Sequence, residues 1–125
     1  MDEGMTAGSD SRVAMAIERR LASDGLRAHR WGNGPRVRYA PHRHEYDKVI
    51  VVAAGEITFS LPEAVMSLRL DTGDRLELPA GTLHAAVAGD RGVQCMEAHL
   101  AAGKLPSGTR RLARWFAGAA GESET

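Results

Sequence analysis

The sequence predicts an all-β jelly roll, a barrel or sandwich of short strands with one amphipathic helix ahead of it. Three observations carry that expectation. Apolar and polar residues alternate in three stretches: Ile57, Phe59 and Leu61 around Thr58 and Ser60; Met66, Leu68 and Leu70 around Ser67 and Arg69; Leu76 and Leu78 beside Arg75 and Glu77. Side chains two apart share a strand face, so each stretch reads as a half-buried strand. The segment from Lys48 to Ala53 is, after its lysine, apolar on both faces and β-branched at Val49, Ile50, Val51 and Val52, the composition of a central strand packed on both sides. Turn signals separate these segments at Ala54-Gly55, Leu61-Pro62-Glu63, Asp71-Thr72-Gly73-Asp74, Pro79-Ala80-Gly81 and Gly89-Asp90-Arg91-Gly92.

Residues 1–10 are small, polar and glycine-containing and predict a mobile tail. From Ser11 to Asp24, Val13, Ala14, Ile17 and Leu21 recur at spacings of three and four while Glu18, Arg19 and Arg20 fall elsewhere. That is an amphipathic helix over 11–24, with Gly25 as its stop. Trp31 sits in the turn-rich Arg30-Trp31-Gly32-Asn33-Gly34-Pro35 and is suited to cover one end of a barrel. On the last strand Val93, Cys95, Glu97 and His99 share a face. Beyond Leu100, Leu112, Trp115 and Phe116 fall on one side of a candidate short helix, with Arg110, Arg111 and Arg114 around it. Such a stripe suits docking on the barrel or on a second subunit. The organisation expected is a single domain over 11–103, then a C-terminal extension over 104–125 whose end, 121–125, is disordered.

Charge and composition exclude several classes. Sixteen Lys and Arg balance sixteen Asp and Glu, a net charge of zero, so the positive footprint of a nucleic-acid binder is missing. No apolar run approaches the ~20 residues of a membrane helix, and the N-terminus lacks the basic and apolar blocks of a signal peptide. Cys95 is the only cysteine, which excludes an intrachain disulfide framework and fits the reducing cytoplasm. It reads as a small buried apolar residue.

The chemistry-bearing residues lie in two segments, Pro41-His42-Arg43-His44 and Gly73-Asp74-Arg75-Leu76-Glu77-Leu78-Pro79-Ala80-Gly81-Thr82-Leu83-His84. In an extended strand His42 and His44 point to one spot, and His84 can close a facial site of three imidazoles, good ligands for zinc, copper, iron or nickel. Gly73 and Gly81 can take the positive backbone angles that tight connections demand, and Pro79 fixes the approach to the second turn.

Together the two segments resemble the paired motifs of the cupin superfamily. That family's first motif sets a glycine, two histidines one residue apart, a glutamate and a glycine. His42, His44 and Gly55 match it, Lys48 stands in place of the glutamate, and Gly34 lies two residues early. In the second motif Gly73, Pro79, Gly81 and His84 fall in register, and Ala88 replaces the final asparagine. The resemblance spans residues 34–92 and extends through the last strand to Leu100. It implies a cupin-type jelly-roll barrel (double-stranded β-helix), a divalent metal ion (iron, zinc, manganese or nickel) on His42, His44 and His84, a small-molecule ligand or substrate, and a homodimer.

Lys48 complicates that picture. Counting by twos, His42, His44, Tyr46 and Lys48 share a face, so a cation points where the family supplies a ligand carboxylate. A protonated amine ~5 Å from a divalent ion is repelled by several kcal/mol at an effective dielectric near 20. Three resolutions stand open. The three-histidine site survives with open positions; or Asp47, through a strand bulge, or Glu97 restores a carboxylate; or there is no metal, and Lys48 with its imidazoles receives a carboxylate or phosphate. Tyr46, Lys48 and Glu97 are the candidate catalytic groups, suited to orienting substrate or moving protons. Tyr46 otherwise packs at the barrel mouth, His99 and His29 otherwise serve structure or surface, and Ala85, Ala86 and Ala88 leave space around His84. The leading function is a small metal-dependent cupin acting on or binding a small organic molecule, with oxygenase chemistry as the reaction a neutral three-histidine iron site suits. The competing one is a non-catalytic, metal-free anion-binding module.

Overall fold

The computed structural model describes residues 2–106 and 108–117, with side chains from Ser11 onward. The elements are α1 (Asp2–Ser23), β1 (Ala28–Asn33), β2 (Arg38–His42), β3 (Asp47–Leu61), a 3-10 turn at Pro62–Ala64, β4 (Met66–Asp71), β5 (Arg75–Leu78), β6 (His84–Leu100) and β7 (Arg110–Leu112). No helix among the described residues is long and apolar enough to cross a membrane.

Every strand pairing is antiparallel. The two long strands β3 and β6 pair along most of their length, and register shifts near Val52/Ala54 and Gly55/Ile57 divide them in two. One half of this pair carries β5 and β1 on its flanks, the other carries β4 and β2. Between the two halves lies a core of Ile50, Val52, Ile57, Phe59, Leu61, Leu70, Leu76, Leu78, Ala86, Ala88, Val93 and Cys95. A jelly roll is the architecture the strand periodicity predicts.

The β-branched run behaves as a strand covered on both faces. Ile50 and Val52 face the core, whereas Val49, Val51 and Ala53 meet Ala14, Ile17 and Leu21 of α1 together with Met96. Burying each large aliphatic side chain of this cluster is worth roughly 1.5–3 kcal/mol, which is why a helix of weak amphipathicity docks at all. The helix begins at Asp2, not at Ser11 as the sequence suggests. No proline interrupts residues 2–10, and Gly4 and Gly8 each cost a helix only about 1 kcal/mol.

The C-terminal segment departs from expectation. Residues 110–112 form a strand, not part of a helix, and pair with Arg75, Leu76 and Glu77 on the open edge of β5. Arg110 Nε donates to Glu77 at 3.0 Å, the Arg114 N–H to Asp74 Oδ1 at 2.8 Å, and the Phe116 N–H to the Gly73 carbonyl at 2.9 Å. An existing sheet edge satisfies this backbone, whereas a helix of one or two turns is marginal. Trp115 and Phe116 still dock on the molecule: they pack against the α1 cluster, with the Arg20 guanidinium 4.0 Å from the Trp115 ring centre. The disorder expected of residues 121–125 lies outside the described residues.

Candidate functional site

At one end of the barrel a cavity of about 270 Å³ opens between Trp31, Tyr39, His42, His44, Tyr46, Lys48, Ile50, Phe59, His84, Ala86 and Glu97. The candidate ligands His42, His44 and His84 and the candidate catalytic groups Tyr46, Lys48 and Glu97 all line it. They do not arrive on one continuous strand. β2 ends at His42 and β3 begins at Asp47, so His44 and Tyr46 sit in the connection between them. Inward and outward positions still alternate there: Arg43 and Glu45 are exposed, and His44 and Tyr46 turn in. Pro41 is tolerated because β2 pairs only with β6, leaving its other edge free for a residue with no N–H.

His84 is delivered by the turn before β6. The Thr82 N–H bonds the Pro79 carbonyl at 3.2 Å, and Gly81 holds φ +83° at the third position, as a type II turn requires. The Gly81 N–H then donates to the His44 carbonyl at 2.8 Å, tying the second segment to the first. His42 lies directly across from His84 in the β2–β6 ladder. Ring centres are 4.4 Å apart for His42 and His84, 4.8 Å for His42 and His44, and 5.3 Å for His44 and His84. One ring nitrogen from each lies within 4.8 Å of the others.

Donor chemistry suits an ion. His84 Nδ1 lies 2.9 Å from the Thr82 carbonyl and His42 Nδ1 2.7 Å from the Ala40 carbonyl. A carbonyl only accepts, so both Nδ1 atoms carry a proton, and in the neutral ring Nε2 presents the lone pair, the tautomer that backbone carbonyls select in metal-binding histidines. His84 Nε2 is buried and has no hydrogen-bond partner among the described residues. A buried polar atom without a partner calls for an explanation, and a bound ion is one of the usual ones. Burial first, and then the Thr82 contact in opposition and the neighbouring His42 and Lys48 charges, hold the His84 imidazole below its usual range. Burial, Lys48, His42 and His84 bring His44 down to about 4. Both are neutral at physiological pH, as ligation needs.

Lys48 points into the cavity, and a neighbouring carboxylate answers it. Its Nζ lies 3.2 Å from His44 Nε2 and 3.4 Å from Glu97 Oε2, and the pair is buried, with side chains 11% and 9% exposed. Glu97 Oε1 accepts from Trp31 Nε1 at 2.8 Å, and Oε2 lies 2.6 Å from His99 Nε2. Burial alone would raise the Glu97 carboxyl, but His99, Lys48 and Trp31 outweigh it and keep the group below its ordinary value. Tyr46 stacks between His44 and His99, with ring centres 4.8 and 4.1 Å away. Burial and the Glu97 charge push its hydroxyl up, so it stays protonated.

Two other candidates fall elsewhere. Asp47 does not reach the histidines through a bulge. It is 1% exposed and accepts the backbone N–H groups of Ala80, Lys104 and Leu105, each at 2.8 Å. Cys95 is buried in the core, where desolvation pushes its thiol up. Tyr39 and Phe59 line the cavity without having been singled out by sequence. Phe59 was legible only as an inward strand residue, and Tyr39 carried no signal before β2 was known to pair with β6.

No protein-family model and no curated protein sequence matches the chain. Solved structures do match. YhaK from Escherichia coli aligns over 70% of this chain at 18% identity, with a TM-score of 0.57. The DMSP lyase DddQ from Ruegeria pomeroyi aligns over 68% at 26% identity and 0.55, and a cupin superfamily protein from Desulfitobacterium hafniense over 61% at 17% and 0.53. Bacillus subtilis oxalate decarboxylase, a protein with Mn(II) centres, aligns over 68% at 17% and 0.52. The alignment spans 42% of YhaK and of DddQ and 23% of the decarboxylase, so this chain corresponds to less than half of each.

Proposed function

The chain is a cupin by fold, and from that premise we propose that it is a metal-dependent cupin, binding a divalent ion through His42, His44 and His84 and acting on a small organic molecule in the cavity beside them. One observation carries the reading: His84 Nε2 is buried with no hydrogen-bond partner among the described residues, and His42, His44 and His84 each offer a ring nitrogen within 4.8 Å of the others. Bound there, the ion would supply Lewis acidity and open coordination positions; three neutral imidazoles also suit ferrous iron and oxygenase chemistry.

The chain's own residues supply the rest. Trp31, Ile50, Phe59 and Ala86 form an apolar wall that sheds water from a ligand. At about 270 Å³ the space equals roughly nine waters, below the usual range of drug-sized pockets, so the substrate is small. The Tyr46 hydroxyl stays protonated and can donate to a substrate oxygen. Lys48 Nζ and Glu97 Oε2, 3.4 Å apart, form a donor and acceptor pair that can pass a proton to or from a bound molecule.

The competing reading, a metal-free anion receptor built on Lys48, is disfavoured by Glu97. A buried lysine already neutralised at 3.4 Å offers an anion little net charge. The test is metal content per chain by plasma mass spectrometry, on protein purified without chelator and on His42→Ala. Near-stoichiometric metal that falls sharply in the variant supports the site, and oxygen-uptake screening follows. Absence of metal after anaerobic reconstitution with iron, manganese, nickel and zinc would overturn it and leave the anion receptor.

A further inference from the structure

Next to the cavity, and sharing Glu97 of its lining, lies a second trio of donor side chains outside the three-histidine cluster. His29 on β1 stands directly opposite Glu97 on β6, and His99 follows Glu97 by two residues. Cross-strand partners and i, i+2 neighbours share a face, so the sheet alone sets His29, Glu97 and His99 side by side. One ligand atom from each lies within 4.8 Å of the others.

We propose that His29, Glu97 and His99 form a second divalent-cation site, at the rim of the cavity, of two histidines and one carboxylate. Its composition differs from the inner site in the group that matters most for a cation: it contains a carboxylate. Two imidazoles and a carboxylate on one face are a set that takes ferrous iron or zinc with positions left open.

The carboxylate is already aimed. Trp31 Nε1 holds Oε1 at 2.8 Å, which leaves Oε2 turned toward His99 Nε2 at 2.6 Å. An ion would take the place of the hydrogen bond that now joins His99 Nε2 and Glu97 Oε2. Tyr46 stacked at 4.1 Å steadies the His99 ring, and the edge of His29 meets His99 at 5.5 Å. His29 is exposed and the His99 side chain is 38% exposed. Closing from these separations to bonds near 2.1 Å therefore asks only for rotations of surface side chains, with no cost in core packing. Lys48 lies 3.4 Å from the same Oε2 and opposes a cation there as it does one on the inner histidines, so the bonds from His29, Glu97 and His99 have that repulsion to overcome.

The test uses the full chain, stripped of metal and titrated with zinc alone, with bound zinc counted by equilibrium dialysis and folding checked by circular dichroism. Wild type should take up two equivalents. His29→Ala/His99→Ala, both changes at the surface, should take up one. His42→Ala/His44→Ala, which disables the inner trio while sparing buried His84, should also retain one. If His42→Ala/His44→Ala binds no zinc, or if His29→Ala/His99→Ala binds as much as wild type, the rim site is overturned. A wild type that binds a single equivalent, lost in His29→Ala/His99→Ala and kept in His42→Ala/His44→Ala, supports the rim site while overturning the inner one, so the two readings fail separately.

Discussion

Removing Asp47 would loosen the cavity from beneath the histidines. Its carboxylate accepts Ala80 N–H on Oδ1 and Lys104 and Leu105 N–H on Oδ2, each at 2.8 Å. Ala80 belongs to the turn that delivers His84, and Asp47 opens the strand that carries Lys48, so one side chain fixes both. A hydrogen bond to a charged group contributes about 1.5–3 kcal/mol, which makes roughly 5–9 kcal/mol for three, and desolvating the carboxylate takes back several. Asp47→Ala should therefore cost about 3–5 kcal/mol, the range for breaking a buried charged contact. Asp47→Asn should cost about 2–4 kcal/mol, because whichever way the amide lies its NH2 meets at least one N–H. Urea unfolding followed by circular dichroism measures both. Acid sharpens the test. Burial pushes the Asp47 carboxyl up, but the N–H groups of Ala80, Leu105 and Lys104 outweigh it and hold it below its ordinary value. A depressed native pKa contributes stability that is present above the unfolded value, ~3.9, and is lost as pH falls through the native one. Asparagine does not titrate, so the gap between wild type and Asp47→Asn should narrow below about pH 4. A gap under about 0.5 kcal/mol at neutral pH, or one that acid leaves unchanged, would refute the reasoning.

Other perturbations reach other parts of the argument. Gly73 holds φ +93°, and a Cβ there would lie 2.2 Å from the Phe116 carbonyl oxygen. Gly73→Ala should lower the melting temperature by roughly 5 °C or more, since left-handed strain alone costs on the order of 1–3 kcal/mol; an unchanged melting curve would contradict both the left-handed turn at Gly73 and the packing of Phe116 on it. Cys95 should resist a disulfide reagent at mildly alkaline pH in the native protein and react fully in denaturant, and prompt native labelling would contradict its place in the core. Lys48→Met should tighten zinc binding at the three-histidine site at least tenfold. A unit charge and a divalent ion ~5 Å apart repel by about 6–7 kcal/mol at an effective dielectric of 20, of which Glu97 offsets only part. An unchanged affinity would place the ion away from Lys48.

Legibility followed the range of the interactions. Strand periodicity is local, so the alternation at 57–61, 66–70 and 76–78 and the two-sided run at 49–53 read directly as β3, β4 and β5. The histidine trio was legible because two of its members are neighbours in sequence and the glycine-proline-glycine frame announces the third. The segment from Arg110 to Phe116 misled because its apolar spacing fits a helix as well as a strand packed at one edge. What decides is the open side of β5 and the acceptors Glu77, Asp74 and Gly73, none of which that stretch of sequence contains. Asp47 misled in the same way: its three N–H partners come from residues 80, 104 and 105.

Lys48 shows how a long-range partner changes the meaning of a local departure. Taken alone, a lysine in place of a motif glutamate reverses the charge beside the imidazoles and argues against a cation. In the folded chain Lys48 faces His99 across the β3–β6 ladder, and Glu97, two residues before His99, reaches back to its ammonium at 3.4 Å. The lysine and the glutamate sum to zero, so the three imidazoles next to them meet a dipole, not a net positive charge. The dipole is oriented, however, with its positive end 3.2 Å from His44 Nε2 and its negative end turned toward His99. An ion on the three histidines must displace the ammonium from His44, whereas an ion at the rim meets the carboxylate first. The ammonium opposes an ion at either place, since it lies 3.2 Å from His44 Nε2 and 3.4 Å from Glu97 Oε2, and the order in which zinc fills the two will measure how far the carboxylate offsets it at the rim.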